Sequence, residues 1–461
     1  MIVAIATLTA TAEIRVVNLD ENSNIKEILG NDTLTIDSLK VKGYLSHSNL
    51  VPISWMTMKK LRYLDMGECV IENNTIPPYG LNPEPYTVVS LDPLIYKNVL
   101  SFVKLPSTLE KIEEFAFACT LIKTIDLPKS MKYIGPFAFD SCHKLTGHLE
   151  LPDGIEFIDE RAFYYANGIT SVKLPESIKE LGICAFAGLI GMTEINFPDG
   201  LTTIGREACA GWYQYGMQKT VLPASLATLS EKAFIYSKLN NVEFNKECPL
   251  QEIGEEAFLC CHLSGISLPD NCVTIGNRAF ESNYLTELYL PDNIQFIGAG
   301  AFGSNPYLEK IVLSGKIESI GNSAFTSCEK LKSVYIKAMS PAEIASNSFE
   351  YSEQMTLYVP EGAKAAYEAA AYWKNFGAIV EVSEFPSAGR EAVIADCSES
   401  GRAFGAAGEA VVEGNNVPYA IFRTDGSVAT AGVAEGRTTI PLPAGIYVAS
   451  VGGKARRIAV R

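Results

Sequence analysis

The stretch NPYLEKIVLSGKIESIGNSAF, residues 305–325, contains the pattern that decides the fold of this chain. Leu308, Ile311 and Leu313 follow the spacing L-x-x-L-x-L, and the last two alternate as in a β-strand with one buried face. An Ile-Gly pair and an Ala-Phe pair follow at residues 320–321 and 324–325. The pattern predicts a short strand followed by a turn that buries one aromatic side chain.

The same pattern recurs along more than half of the chain. A Leu-Pro dipeptide or a close variant marks its copies at Leu105, Leu127, Leu151, Leu174, Phe197, Leu222, Phe244, Leu268, Leu290, Leu313, Ile336 and Val359. Successive copies lie 22 to 25 residues apart. A fixed period in this range is typical of a solenoid, in which each coil buries its apolar face against its neighbours.

Each coil is expected to contribute one strand and one Phe. The strands, stacked in register at the L-x-L segment, predict a parallel sheet of about twelve strands, roughly 50 Å long. The Phe of each coil predicts a buried aromatic column behind that sheet. We therefore expect an α/β solenoid.

These motifs resemble those of the BspA-type (Treponema-type) leucine-rich repeats of bacterial surface proteins, including Bacteroidetes proteins. The resemblance rests on L-x-x-L-x-L-P followed by I-G-x-x-A-F-x-x-C and covers residues 100–382. It implies a right-handed superhelix with the parallel sheet on its concave face. Residues 31–71 resemble the N-terminal capping repeats of such proteins, and residues 358–382 resemble their closing helix, which we expect over Ala363 to Trp373.

Four segments follow from this organisation. Residues 1–12 have the short apolar run and the small-residue Ala10-Thr11-Ala12 site of a signal peptide, although a basic n-region is missing. A buried first strand is the alternative. Residues 13–99 are the expected N-terminal capping and irregular repeats, and residues 100–382 are the repeat array with its capping helix.

Residues 387–461 lose the period and become rich in Gly, Ala and Val, with turn signals such as Thr424-Asp425-Gly426. This change predicts a small all-β domain. It resembles, more weakly, the C-terminal β-sandwich tails of secreted Bacteroidetes proteins, which include sorting domains. A sorting signal and an accessory domain both remain open.

Composition excludes several classes of protein. The net charge of −15 disfavours a nucleic-acid partner, because neutralising phosphates requires clustered Lys and Arg. No apolar run reaches the roughly 20 residues needed to cross a bilayer. The eleven cysteines recur in repeat slots, notably Cys142, Cys261 and Cys328, so we expect mostly free, buried thiols. Pairs between neighbouring coils, such as Cys119 with Cys142, remain possible in principle.

Apparent catalytic and metal motifs fall within the repeat pattern. Residues 298–303 match G-x-G-x-x-G, but they occupy the slot that reads IGNSAF in the next coil, so we expect no dinucleotide cofactor. The Cys-His pairs at residues 142–143 and 261–262 lack a second pair at zinc-ligand spacing, so we expect no metal. No Ser-His-Asp or Cys-His arrangement indicates an enzyme.

The outward position between the two buried strand residues supplies the first candidate site. Tyr289, Val312 and Tyr335 occupy it in three successive coils, and Glu287 and Lys310 flank them. Aromatic side chains with a polar rim are typical of a binding patch. The alternative is ordinary β-propensity, since Tyr and Val favour strands.

The second candidate site is the coil in which Cys209 replaces the repeat Phe. Trp212, Tyr213 and Tyr215 follow it in the sequence CAGWYQY. Either Trp212 fills the space that the missing Phe leaves, or the segment is an exposed aromatic loop for protein or glycan contact.

The sequence thus favours a non-enzymatic, exported binding protein. The family resemblance implies adhesion or host-protein interaction at the cell surface, with a protein or glycan ligand. A rigid spacer that presents the C-terminal domain is the alternative, and a secreted enzyme is a more distant one.

Overall fold

The computed structural model describes residues 14–83, 98–213, 220–350 and 352–387, and five strand segments between residues 402 and 460. The chain divides into two compact units, Met1–Phe385 and Pro386–Arg461. The first unit is a parallel-strand β-solenoid of about 15 turns, which confirms the predicted fold class. The expected signal peptide, residues 1–12, lies outside the described residues.

The N-terminal region alternates strands and helices before the regular coils begin. Its elements are β1 (Arg15–Leu19), α1 (Ile25–Leu29), β2 (Ser38–Leu45), α2 (His47–Thr57) and β3 (Tyr63–Ile71), with 3₁₀ turns at Gly30–Leu34 and Glu72–Asn74. The Asn24 side chain accepts hydrogen bonds from the first turn of α1, and Ser46 does the same for α2. These N-caps start both helices. Strands β1, β2 and β3 pair in parallel in that order, and β3 pairs with the first strand of the array, residues 102–104.

One sheet runs through the array without a break, and it is formed by the Ile-Gly segments. Its twelve strands are β4 (Thr75–Ile76), β6 (Lys111–Ile112), β7 (Tyr133–Ile134), β9 (Phe157–Ile158), β11 (Glu180–Leu181), β13 (Thr203–Ile204), β15 (Thr228–Leu229), β17 (Glu252–Ile253), β19 (Thr274–Ile275), β21 (Phe296–Ile297), β23 (Ser319–Ile320) and β25 (Glu343–Ile344). Neighbouring strands of this sheet pair in parallel. Each coil therefore contributes a two-residue strand to a continuous ladder.

Glycine follows seven of these twelve strands, at positions where the coils approach closely. A Cβ on Gly298 would lie 2.5 Å from the backbone N of Asn277, and one on Gly321 would lie 2.5 Å from the backbone N of Ala299. No side chain fits at such distances. Gly300 has a φ of +63°, a left-handed conformation that Gly adopts without strain. Gly298 and Gly300, two of the three glycines of the apparent nucleotide fingerprint, thus have structural roles in the coil.

The L-x-L segments form shorter sheets, which corrects the expectation of one continuous sheet there. They comprise β5 (Phe102–Lys104), which joins β1–β3; β8 (Thr146–Glu150), β10 (Gly168–Lys173) and β12 (Glu194–Ile195); β14 (Thr220–Leu222), β16 (Asn241–Phe244) and β18 (Gly265–Ser267); and β20 (Glu287–Tyr289), β22 (Lys310–Leu313), β24 (Ser333–Ile336), β26 (Thr356–Pro360) and β27 (Ala378–Val382). At the end of the β10–β12 pair, Asn196 Oδ1 accepts a hydrogen bond from Leu174 N at 2.7 Å and Asn196 Nδ2 donates to Leu174 O at 3.0 Å. A side chain there satisfies backbone groups that a strand would otherwise pair.

The predicted aromatic column is confirmed. Stacked rings run from Phe117 to Phe186 and again from Phe234 to Phe349, with centroids 4.9–5.5 Å apart between neighbouring coils. The rings from Phe117 to Phe325 are fully buried. The column is interrupted only where Cys209 replaces Phe, among the coils that the structure describes. Apolar burial of this extent is the main force that holds the coils together.

The slot three residues after the column position carries a ladder of hydrogen-bond donors. In each case the side chain donates to the backbone carbonyl of the column residue one coil earlier: Cys142 Sγ to Phe117 O at 3.1 Å, Ser237 Oγ to Cys209 O at 2.8 Å, Cys261 Sγ to Phe234 O at 2.9 Å, Asn283 Nδ2 to Phe258 O at 2.8 Å, Asn305 Nδ2 to Phe280 O at 3.0 Å and Cys328 Sγ to Phe302 O at 3.3 Å. In these six coils the slot holds a small residue that donates to a buried carbonyl, whereas Ala166 and Leu189 fill it with an apolar side chain.

The cysteines of the described residues are free thiols, as expected from their slots. They are Cys69, Cys119, Cys142, Cys184, Cys209, Cys248, Cys260, Cys261, Cys272 and Cys328, and all except Cys260 are buried. Burial raises the pKa of Cys142, Cys272 and Cys328 to about 12. These thiols stay protonated at neutral pH, so they serve as weak donors in the core.

A short helix closes the array. α3 spans Lys364–Ala369 and a 3₁₀ turn covers Trp373–Asn375, so the helix is shorter than the expected Ala363 to Trp373. Tyr367 donates its hydroxyl to Ala338 O at 2.9 Å, and Trp373 Nε1 donates to Ala342 O at 2.8 Å. Both side chains are buried, so the cap covers the last apolar surface of the solenoid.

The second unit contains antiparallel strands. They are β28 (Arg402–Ala406), β29 (Glu409–Arg423), β30 (Val428–Pro441), β31 (Gly445–Val451) and β32 (Lys454–Val460), and they form one sheet. The predicted Thr424-Asp425-Gly426 turn lies outside the described residues. The second layer of a β-sandwich remains a prediction.

Candidate functional site

Three tyrosines and one valine share the outward face of the last L-x-L sheet. Tyr289 on β20, Val312 on β22, Tyr335 on β24 and Tyr358 on β26 are direct register neighbours in consecutive parallel strands. They follow one another at 23-residue intervals, so each coil of this sheet contributes one of them. We call these four residues the tyrosine strip.

The aromatic contacts of the tyrosine strip lie at its C-terminal end. The rings of Tyr335 and Tyr358 stack with centroids 4.2 Å apart and an interplanar angle of 9°. Both side chains are half-buried, so part of the stacked pair faces solvent. Stacking holds the two rings in one orientation, which lowers the entropy that a partner's binding would cost.

Polar groups frame the other end of the strip. Tyr289 Oη donates to Glu287 Oε2 at 2.8 Å, and Lys310 Nζ lies 3.2 Å from Glu287 Oε1. Lys310 Nζ also lies 5.7 Å from the centroid of the Tyr289 ring. Burial and the hydrogen bond to Glu287 raise the pKa of Tyr289 to about 12, so its hydroxyl remains a donor at physiological pH.

Two details of the predicted strip differ from expectation. Val312, expected to be exposed, has only 1% of its surface accessible, because it lies between two larger tyrosines on adjacent strands. It supports the strip from below and offers no contact surface of its own. Tyr358 was missed, although the same 23-residue interval that relates Tyr335 to Val312 leads to it.

The main residue of the second candidate site, Trp212, packs in the core. Trp212 is 1% exposed, and its ring meets Phe234 edge-on at a centroid distance of 6.1 Å. Its indole Nε1 donates to Phe186 O at 2.9 Å, which is the hydrogen bond that the donor slot makes in other coils. The buried alternative is therefore correct for Trp212, and an exposed role is wrong. Tyr213 is 51% exposed, and Tyr215 lies outside the described residues.

The histidines next to cysteine have ordinary contacts in the coil edge. His143 Nδ1 lies 3.1 Å from Tyr165 O, and the His262 ring meets the Tyr284 ring edge-on at 5.1 Å. Among the residues that the structure describes, no three His, Cys, Asp or Glu side chains are placed to hold a metal ion.

A family model supplies the decisive comparison. The model of the BspA type leucine-rich repeat region matches six copies over residues 85–169, 156–283 and 251–375. Together these ranges cover more than half of the chain. The chain belongs to the BspA-type leucine-rich repeat family. No curated protein matches its sequence.

Solved structures of other leucine-rich repeat proteins are similar to this chain at low identity. The pneumococcal vaccine antigen PcpA is 21% identical, with 76% of this chain and 80% of that chain covered and a TM-score of 0.42. A leucine-rich repeat protein from Bacteroides ovatus is 22% identical, with 70% and 86% covered and a TM-score of 0.48. A leucine rich cell surface protein from Faecalibacterium prausnitzii is 22% identical, with 63% and 81% covered and a TM-score of 0.36.

The helices of this BspA-type protein are short. Within the described ranges, none has both the length and the apolar composition that crossing a bilayer requires.

Proposed function

We propose that this BspA-type protein is a non-enzymatic binding module, secreted or displayed at the cell surface, that engages a protein partner through the tyrosine strip. Membership of a leucine-rich repeat family is consistent with protein binding. The family resemblance and the small-residue site at Ala10-Thr11-Ala12 support export.

The observation that carries this proposal is the stacked Tyr335–Tyr358 pair beside the Glu287–Lys310 ion pair. Tyrosine is enriched at the centre of protein interfaces, where it contributes a large rigid contact area and one hydroxyl donor. A polar rim around such a centre is the usual arrangement of a binding patch. The strip has both parts within four adjacent strands.

Binding to a panel of immobilised extracellular-matrix proteins tests the proposal. We expect the full chain to bind at least one member, and the double substitution Tyr289→Ala with Tyr335→Ala to weaken that binding by about tenfold or more, because hot-spot tyrosines contribute about 2 kcal/mol each. Val221→Ala is the matched control, since Val221 occupies the outward position of β14 and is 53% exposed. Circular dichroism confirms that both variants fold.

Unchanged affinity of the double variant would show that the strip is not the binding surface. Binding that is lost only when residues 387–461 are deleted would instead favour the spacer alternative, in which the array presents the C-terminal unit.

A further inference from the structure

Seven successive coils each place one ring or aliphatic side chain on the same edge of the solenoid, between the Phe turn and the next L-x-L strand. We call this set the aromatic edge: Tyr165, Ile190, Tyr213, Tyr236, His262, Tyr284 and Tyr307. All except His262, which is partly buried, are 43–51% exposed. At the spacing of parallel strands, six steps between coils span about 29 Å.

Contacts between neighbouring coils join the last three members of the edge. Lys238 N donates to Trp212 O at 2.9 Å, and Tyr284 N donates to Leu263 O at 2.8 Å, so backbone hydrogen bonds join neighbouring coils at these two places. The Tyr284 ring meets the His262 ring at 5.1 Å on one side and the Tyr307 ring at 5.9 Å on the other. Lys330 Nζ lies 5.0 Å from the centroid of Tyr307. His262, Tyr284 and Tyr307 thus hold one another in place, while the two tyrosines stay 44% and 48% exposed.

Acidic residues are scarce along this edge. Residues two to five after the column position contain no Asp or Glu in nine successive coils, although the chain has 53 acidic residues. These segments are 119–122, 141–144, 165–168, 188–191, 211–214, 236–239, 260–263, 282–285 and 304–307. They contain Lys144, Lys238 and two of the four histidines. In the next coil Glu329 directly precedes Lys330. On a protein of net charge −15, an edge with so few carboxylates repels an acidic partner less than the rest of the surface does.

We propose that the aromatic edge is a second interaction surface, separate from the tyrosine strip, and that it binds an extended acidic protein segment bearing apolar side chains. The tyrosines and Ile190 bury the apolar side chains of that segment, and Lys238 and Lys330 attract its carboxylates. An extended chain of about nine residues spans the same length at ~3.3 Å per residue.

A protein segment fits these observations better than a glycan. Ile190 offers an aliphatic group, on which sugar rings do not stack as they do on aromatic rings. An anionic polysaccharide would require a denser row of Lys and Arg than these segments contain. The occupant is therefore assigned by the combination of exposed apolar area and scarce carboxylates.

Selection from a displayed library of random peptides against the full chain tests the proposal. We expect the selected peptides to be enriched in Asp, Glu and apolar residues. The double substitution Tyr284→Ala with Tyr307→Ala should weaken their binding by about tenfold or more. Lys238→Glu should also weaken binding, and raising NaCl from about 0.05 M to about 0.5 M should reduce it further. The matched control is Tyr289→Ala with Tyr335→Ala, which removes two tyrosines from the tyrosine strip and should leave this binding unchanged.

Several outcomes would overturn the assignment. The proposal is wrong if no peptide is selected, or if the selected peptides are not enriched in acidic residues. It is also wrong if the peptides bind the Tyr284→Ala, Tyr307→Ala variant as tightly as the unaltered protein. A glycan array in which neutral or anionic sugars bind, and lose binding in that variant, would replace the protein segment by a glycan. Because the control variant alters only the tyrosine strip, failure here is distinguishable from failure of the proposed function.

Discussion

A single replacement at position 209 shows how one residue can be compensated by another. The column position is Phe in the neighbouring coils, and Cys209 is too small to fill it. Trp212, three residues later, occupies the core and also makes the donor bond to Phe186 O at 2.9 Å. The indole of Trp212 thus replaces both a ring of the aromatic column and one hydrogen bond of the donor ladder.

Trp212→Ala should therefore destabilise the protein strongly. We expect a loss of about 3–5 kcal/mol, because the substitution leaves a cavity and removes the indole donor from a buried carbonyl. Tyr213→Ala is the neighbouring control, and its exposed side chain predicts a change within about 0.5 kcal/mol. Urea unfolding of the two variants measures both values. A Trp212→Ala protein as stable as Tyr213→Ala would contradict the compensating role.

At the scale of the coil, the donor ladder explains why Cys, Ser and Asn alternate in one slot. Asn305 donates to Phe280 O and Phe302 O, and its Oδ1 accepts from Leu285 N at 3.2 Å. All of these groups are buried, so water cannot replace the side chain. The slot therefore links each coil to its neighbour by both packing and hydrogen bonds.

Asn305→Ala should cost about 2–4 kcal/mol of unfolding free energy, because buried backbone groups lose the partner that the amide supplies. Asn293 is a matched control, since its Nδ2 also donates to a backbone carbonyl of the preceding coil, Asp270 O at 2.8 Å, but at an exposed position. Asn293→Ala should cost less than about 1 kcal/mol, because water replaces the amide there. Equal losses from the two variants, measured by urea unfolding, would show that burial does not decide the value of these bonds.

The period, the buried Phe column and the free thiols could all be predicted from the sequence, because each depends on residues that recur in one slot. The location of the continuous sheet could not be predicted. The L-x-L segment has the stronger strand pattern, but its pairing is interrupted between β12 and β14 and again between β18 and β20. The two-residue strands pair without a break, and Gly follows seven of the twelve where the coils approach closely.

The candidate site was predicted in part. A repeating interval places Tyr289, Val312 and Tyr335 on one face, and their register confirms this. The spacing of these residues does not predict how much of each side chain the neighbouring side chains cover, so the burial of Val312 was missed. The aromatic edge was missed as a set because its residues occupy two to five positions after the column residue in different coils, so that no single slot displays them.

Across the whole molecule, the buried thiols link stability to alkaline pH. Burial raises the pKa of Cys142, Cys272 and Cys328 in the folded protein, to about 12, above the value of an exposed thiol. Above pH ~9 the unfolded chain releases these protons and the folded chain keeps them. The unfolded state then binds fewer protons, so the free energy of unfolding falls as pH rises.

Unfolding in urea under reducing conditions should show full stability below pH ~8 and a decline between pH ~9 and ~12, by up to about 1.4 kcal/mol per pH unit for each thiol. Cys328→Asn is the matched variant, because Asn fills the same slot in the two preceding coils and does not titrate. Its decline should be shallower than that of the unaltered protein. Parallel pH profiles for the two proteins would show that Cys328 does not contribute to this linkage.

The donor slot also has a consequence for how such a chain can change length over generations. Asn283 and Asn305 occupy the same place in adjacent coils and make the same bonds to the column carbonyls before them. A gene rearrangement that joined Ser282 directly to Asn305 would remove 22 residues and leave a matching surface on each side of the cut. Recombination can therefore add or remove a whole coil here while the hydrogen bonds between the coils on either side are conserved. Each such change also adds or removes one segment of each outer surface.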